Sequence, residues 1–182
     1  MSAASHRIND QAMGTFTLER VVAVPPPRVW DTVTDWAGYA RWMPLTTMRL
    51  DQGPTRVGWS FAGLTGMGRL RFSDVMRITD WAPPSEAGPG AFRLVKVGRL
   101  LAGWAEVSVQ PIAGGLQTHL LWRENIVIRP VLLGRLLAPV TDRFNKALFA
   151  RVLDAMSAEA VRGPGGNGSG RRGQGQNASG RQ

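Results

Sequence analysis

Two acidic side chains fall where an apolar one is expected. In Gly68–Trp81 (GRLRFSDVMRITDW), Asp74 shares the alternation of Leu70, Phe72, Met76 and Ile78. In Leu116–Ile128, Glu124 shares that of Leu120, Trp122 and Ile126. Successive strand residues point to opposite faces, so each carboxylate is expected on the greasy face of its strand. A carboxylate there must pair with a cation, accept hydrogen bonds, or keep its proton at a raised pKa. The last of these would suit general acid/base work on a carbonyl substrate. A structural ion pair, ligand orientation, or a bulge that turns one carboxylate outward are the alternatives. Arg69 and Arg71, on the opposite face, are the candidate cations if a bulge swaps them inward; otherwise they are solvated.

Other chemistries find little support. There are no cysteines, so thiolate nucleophiles, disulfides and Cys-based zinc sites are excluded. The two histidines are His6, in the N-terminal segment, and His119, whose parity is opposite to that of Trp122 and Glu124. One ordered imidazole does not make a metal centre, so neither a metal nor a cofactor is expected. Gly63, Gly66 and Gly68 sit between strands, not ahead of a helix, and lack the Lys of a phosphate-binding loop.

The elements that must position Asp74 and Glu124 can be read from periodicity. Thr15–Val24 alternates and reads as a strand. Pro25, Pro26 and Pro27 open a short helix over Arg28–Asp35, followed by a second over Trp36–Trp42. Strands are expected at Leu45–Asp51, Val57–Leu64, Gly68–Trp81, Ala91–Val97, Gly103–Gln110 and Leu116–Ile128, with Gly114-Gly115 at a hairpin. Val131–Ala160 has helical period, with Phe144, Ala147, Leu148, Val152 and Met156 in its apolar stripe. Pro139 is expected to kink this helix or begin its main part. Strands followed by one long helix, without alternating strand–helix units, give an α+β fold rather than a doubly wound one.

The 182 residues suit one domain, 43% hydrophobic. Residues 15–160 are assigned to it, 1–14 to a flexible N-terminus, and 161–182 to a disordered Gly/Arg-rich tail too polar to bury a core. The tail carries Arg162, Arg171, Arg172 and Arg181 without an acid, and so supplies much of the +9 net charge. Only Lys96 and Lys146 are lysines; this arginine bias suits a high-GC bacterial genome. Basic residues are scattered rather than clustered among aromatics, so no specific nucleic-acid partner is expected. Weak contact with an anionic membrane surface stays open. No stretch is long and apolar enough to span a bilayer, and no signal pattern opens the chain, so a cytoplasmic protein, monomer or homodimer, is expected.

Three stretches stand out: Val21–Pro44 (VVAVPPPRVWDTVTDWAGYARWMP), Asp74–Pro84 (DVMRITDWAPP) and Gly114–Glu124 (GGLQTHLLWRE). Together they resemble the START-like or Bet v 1-like (SRPBCC) superfamily, of the bacterial polyketide cyclase/dehydrase and lipid-transport type. The match covers about Thr15–Met156. The resemblance implies a helix-grip fold: a curved antiparallel sheet of six to seven strands around the long C-terminal helix, with an apolar cavity between them and the two short helices near its mouth. On that footing the expected ligand-binding residues are Tyr39, Trp42, Trp59, Phe61, Phe72, Asp74, Met76, Leu120, Trp122, Glu124, Phe144 and Leu148. The expected partner is a hydrophobic small molecule such as a lipid, polyketide or isoprenoid. The rival readings are a polyketide cyclase/dehydratase using Asp74 or Glu124 as acid/base, and a membrane-surface or partner-binding protein using its basic tail. Such a superfamily fold constrains function weakly.

Overall fold

The computed structural model describes residues 15–85 and 88–163. The expectations for residues 1–14 and for the tail beyond 163 lie outside them. The described chain runs β1 (Thr15–Val22), α1 (Pro26–Val33), a 3-10 turn (Ala37–Arg41), β2 (Thr46–Leu50), β3 (Ser60–Met67), β4 (Leu70–Ala82), β5 (Gly90–Val97), β6 (Leu101–Ile112), β7 (Gln117–Ile128) and α2 (Val131–Arg162). One antiparallel sheet holds all seven strands in the order β1-β7-β6-β5-β4-β3-β2. β1 therefore crosses to the far side of the sheet by way of α1 and the 3-10 turn. This is the helix-grip arrangement that the resemblance implies.

Several boundaries differ from the periodicity reading, each for a local reason. α1 starts at Pro26 because a proline in the first helical turn costs no hydrogen bond. The second short helix closes only as a 3-10 turn. β3 starts at Ser60, since Gly58 takes a left-handed φ of 87° in the turn before it. α2 is one helix from Val131 through Pro139, so Pro139 does not begin it.

The sheet curves. A register shift between Ile78 and Asp80 marks a bulge in β4, which bends and twists a strand locally. α2 packs across β1 and β7, and α1 packs against α2. At the α1 end the interior is filled by aromatic rings. Trp30 lies 4.9 Å from Trp81 and 5.7 Å from Phe92, and Trp36 lies 4.5 Å from Phe61 and 5.3 Å from Phe92. Val152, Leu153, Met156 and Ala160 of α2 complete this core. Toward the other end, sheet and helix diverge and the interior is left open.

Candidate ligand-binding cavity

That opening is a cavity of about 520 Å³. β3 contributes Phe61, Gly63 and Thr65; β4 contributes Phe72, Asp74 and Met76; β5 contributes Leu94 and Lys96. Thr46 and Met48 of β2, Leu101 and Ala105 of β6, and Trp122, Glu124, Ile126 and Ile128 of β7 form the rest of the sheet wall. Trp36, Tyr39 and Met43 close one side, and Phe144, Asn145, Leu148, Phe149 and Val152 of α2 form the roof. The wall residues most open to solvent are Pro44, Phe72, Leu100 and Phe144, the last 64% exposed. They place the mouth beside the β5–β6 turn and the 42–45 loop.

The alternation argument places Asp74 and Glu124 inside, and the structure adds the cation that joins them. Lys96 Nζ lies 2.7 Å from Asp74 Oδ2 and 3.2 Å from Glu124 Oε1, with side-chain exposures of 4%, 15% and 2% respectively. Strand register explains the meeting. Lys96 stands opposite Met76, so Asp74 is its diagonal neighbour on the same face. Across β6, Lys96 faces Gly103 and Leu94 faces Ala105; Ala105 in turn faces Glu124. Two small residues of β6, Gly103 and Ala105, thus stand between Lys96 and Glu124. Gly103 is required there: its φ is 127°, and a Cβ would collide with the Asn125 carbonyl.

The cluster is nearly saturated. Trp122 Nε1 donates to Glu124 Oε2 at 3.0 Å, so both Glu124 oxygens are engaged. Lys96 also approaches Met76 Sδ at 3.9 Å. Asp74 Oδ1 is buried with no hydrogen-bond partner. Burial by itself would pull the Lys96 ammonium down, but Glu124 and then Asp74 more than offset it and hold it above its ordinary value. For Glu124, burial is the largest influence and pushes its pKa up, against the opposing pull of Lys96 and the Trp122 hydrogen bond.

Arg69 and Arg71 are exposed and take no part in this cluster. The cation was missed because β5 is short and mixed; its signal was Lys96 sharing parity with Phe92 and Leu94, all three buried. Three expected wall residues lie elsewhere. Trp59 is buried behind Trp36 and Phe61, at 6.3 and 5.6 Å from their rings. Trp42 is drawn off by Glu159 of α2, to which its Nε1 donates at 3.2 Å, and lies beside the Arg41 guanidinium. Leu120 is fully buried in the packed core, opposite Val109. Tyr39 lines the cavity, but its hydroxyl already donates to the Val33 carbonyl at 3.1 Å; burial raises its pKa well above the ordinary phenol value, aided by the charges of Glu124 and Asp35. Phe149, absent from the periodicity stripe, packs against Phe16 and Trp122 at 5.5 and 6.0 Å. His119 faces outward, 3.2 Å from Glu19. Among the described residues no group of His, Asp or Glu could hold a metal ion, and no helix is long and apolar enough to cross a membrane.

A family model described as polyketide cyclase/dehydrase and lipid transport matches residues 13–161. No curated protein matches the chain in sequence. Among solved structures, the chain is similar to the Zhui aromatase/cyclase from Streptomyces, with 16% identity, a TM-score of 0.60, and 81% of this chain and 93% of that one covered. It is similar to a hypothetical protein from Helicobacter pylori, with 12% identity, a TM-score of 0.63, and coverages of 83% and 90%. It is also similar to StfQ, a di-domain aromatase/cyclase of the steffimycin biosynthetic pathway, with 14% identity, a TM-score of 0.62, and coverages of 82% and 51%. At these identities the likeness is one of fold.

Proposed function

The chain belongs to the polyketide cyclase/dehydrase and lipid transport family, and from that premise we propose that it binds a hydrophobic small molecule, of lipid, polyketide or isoprenoid type, in the cavity between sheet and α2. The observation that carries this reading is a hollow of about 520 Å³ walled mainly by apolar side chains, with three of its charged groups joined in one cluster. Burying apolar ligand surface favours binding by about 25 cal/mol per Å², and a few placed polar groups set orientation. Native mass spectrometry of protein purified from its own host tests it. The expected result is a bound mass that organic extraction removes. Ligand-free protein that also fails to take up the neutral dye N-phenyl-1-naphthylamine would count against it.

A second reading, cyclase or dehydratase chemistry, is supported by carboxylates on the cavity wall and by the named activities of the Zhui and StfQ proteins. Of the two carboxylates, Asp74 has an oxygen without a hydrogen-bond partner; Glu124 is occupied on both. On this reading Asp74→Asn abolishes turnover of a polyketide substrate while leaving the fold intact.

The mouth supports a further partner, an anionic lipid surface. Leu45, Met67, Val97 and Leu100 are exposed beside it, as are Arg69, Arg71, Arg99 and Arg129. Residues 64–73, 97–102 and 126–130 contain no Asp or Glu. Each arginine near an anionic bilayer contributes about 1 kcal/mol. Sedimentation with phosphatidylglycerol vesicles should be lost on replacing Arg69, Arg71 and Arg99 with Gln, and phosphatidylcholine vesicles should not bind. Loss instead on deleting residues 164–182 would assign the contact to the tail.

A further inference from the structure

We propose that the cavity selects neutral guests carrying a hydrogen-bond donor, such as a phenol or alcohol, and rejects anionic guests such as carboxylates. This rests on the binding reading above and deepens it. The ionisable residues on the wall, among the described residues, are Tyr39, Asp74, Lys96 and Glu124. The lone ammonium is shared between two carboxylates, at 2.7 and 3.2 Å. The cluster is therefore neutral if one carboxyl holds a proton and negative if neither does; with both acids and the lysine in place it has no spare positive charge for an anion. An anionic head group would give up its hydration and, among the described residues, find its one cationic partner, Lys96, already balanced by Asp74 and Glu124.

The hydrogen-bonding capacity points the same way. Glu124 has Lys96 on one oxygen and Trp122 on the other. Tyr39 is engaged with the Val33 carbonyl. Asp74 has Lys96 on Oδ2 and nothing on Oδ1, which is buried. A buried acceptor without a partner is costly; Asp74 lines the cavity with 15% of its side chain exposed, so a turn of its carboxyl would present Oδ1 to a guest hydroxyl, the group that would satisfy it. A guest carboxylate, which only accepts, cannot.

The test compares three probes of one shape: naphthalene, 2-naphthol and 2-naphthoate, titrated at neutral pH by intrinsic tryptophan fluorescence or calorimetry. The expected order is naphthol tightest and naphthoate weakest, with naphthol favoured over naphthalene by about tenfold, the size of a hydrogen bond to a charged group. Asp74→Leu should bring naphthol down to the level of naphthalene while naphthalene binding persists. Asp74→Asn, which removes a negative charge without removing bulk, should raise naphthoate affinity. Naphthoate binding as tightly as naphthol, or a naphthol preference untouched by Asp74→Leu, overturns the proposal while leaving a binding cavity. Failure of all three probes to bind overturns the cavity reading itself.

Discussion

Lys96 Nζ lies 2.7 Å from Asp74 Oδ2 although 22 residues separate them, because β4 and β5 pair antiparallel and set the two side chains diagonally on the concave face. The same ammonium reaches Glu124 over two small residues of β6. Whatever such a cluster contributes when complete, removing one partner leaves an uncompensated buried charge.

Lys96→Met is accordingly expected to destabilise the fold by about 3–5 kcal/mol, since it strands two buried carboxylates. Adding Asp74→Leu and Glu124→Leu should recover most of that loss, and the non-additivity is the signature of one network. Urea unfolding of the single and triple variants measures it. Full additivity of the three changes would show that the charges do not interact.

Glu124 gives stability a pH dependence. Burial raises its pKa in the folded state, whereas the unfolded chain titrates near the ordinary glutamate value of about 4.3. Between the two values the folded protein keeps a proton that the unfolded chain has released. Its contribution is thus greatest at low pH and declines as pH rises from the unfolded value through the folded one. The readout is a difference between two variants, in which every group common to both cancels. Wild type should lose stability relative to Glu124→Gln across that window, and a pH-independent difference would remove Glu124 as the cause.

Leu148 reaches the cavity from α2. Leu148→Trp should fill part of the hollow and weaken uptake of N-phenyl-1-naphthylamine by on the order of tenfold, roughly the 1.4 kcal/mol that this factor represents. The melting temperature should hold, because the added ring occupies free space. Unchanged dye affinity would place the dye elsewhere.

Gly103→Ala should cost about 1–3 kcal/mol for forcing a side chain into its positive-φ conformation, and more as the new methyl meets the Asn125 carbonyl. Chemical denaturation checks the loss. A neutral outcome would mean that β6 can relax there, and with it the path between Lys96 and Glu124.

Alternation and helical period were sufficient for the element order and for the inward direction of Asp74, Met76, Trp122 and Glu124, because period two is a property of each strand alone. The wall positions that the resemblance implies for Trp42 and Trp59 are not where these rings lie. Both are large, apolar and on the expected segments, but what separates wall from core is a neighbour: Trp36 in front of Trp59, Glu159 beside Trp42. Phe149 was missed for a similar reason, since which side of α2 meets the sheet depends on how the helix is seated against β1 and β7.

The sequence by itself determined the fold class, the greasy interior and the presence of two acids within it, since each follows from residue types at local spacing. Only the tertiary structure decided that Lys96, and not Arg69 or Arg71, joins those acids, and that the space beside them stays hollow. Ion pairing and void volume depend on distances between strands and helix that are far apart along the chain. Those distances are set by register, by the β4 bulge, and by the small residues Gly103 and Ala105 of β6.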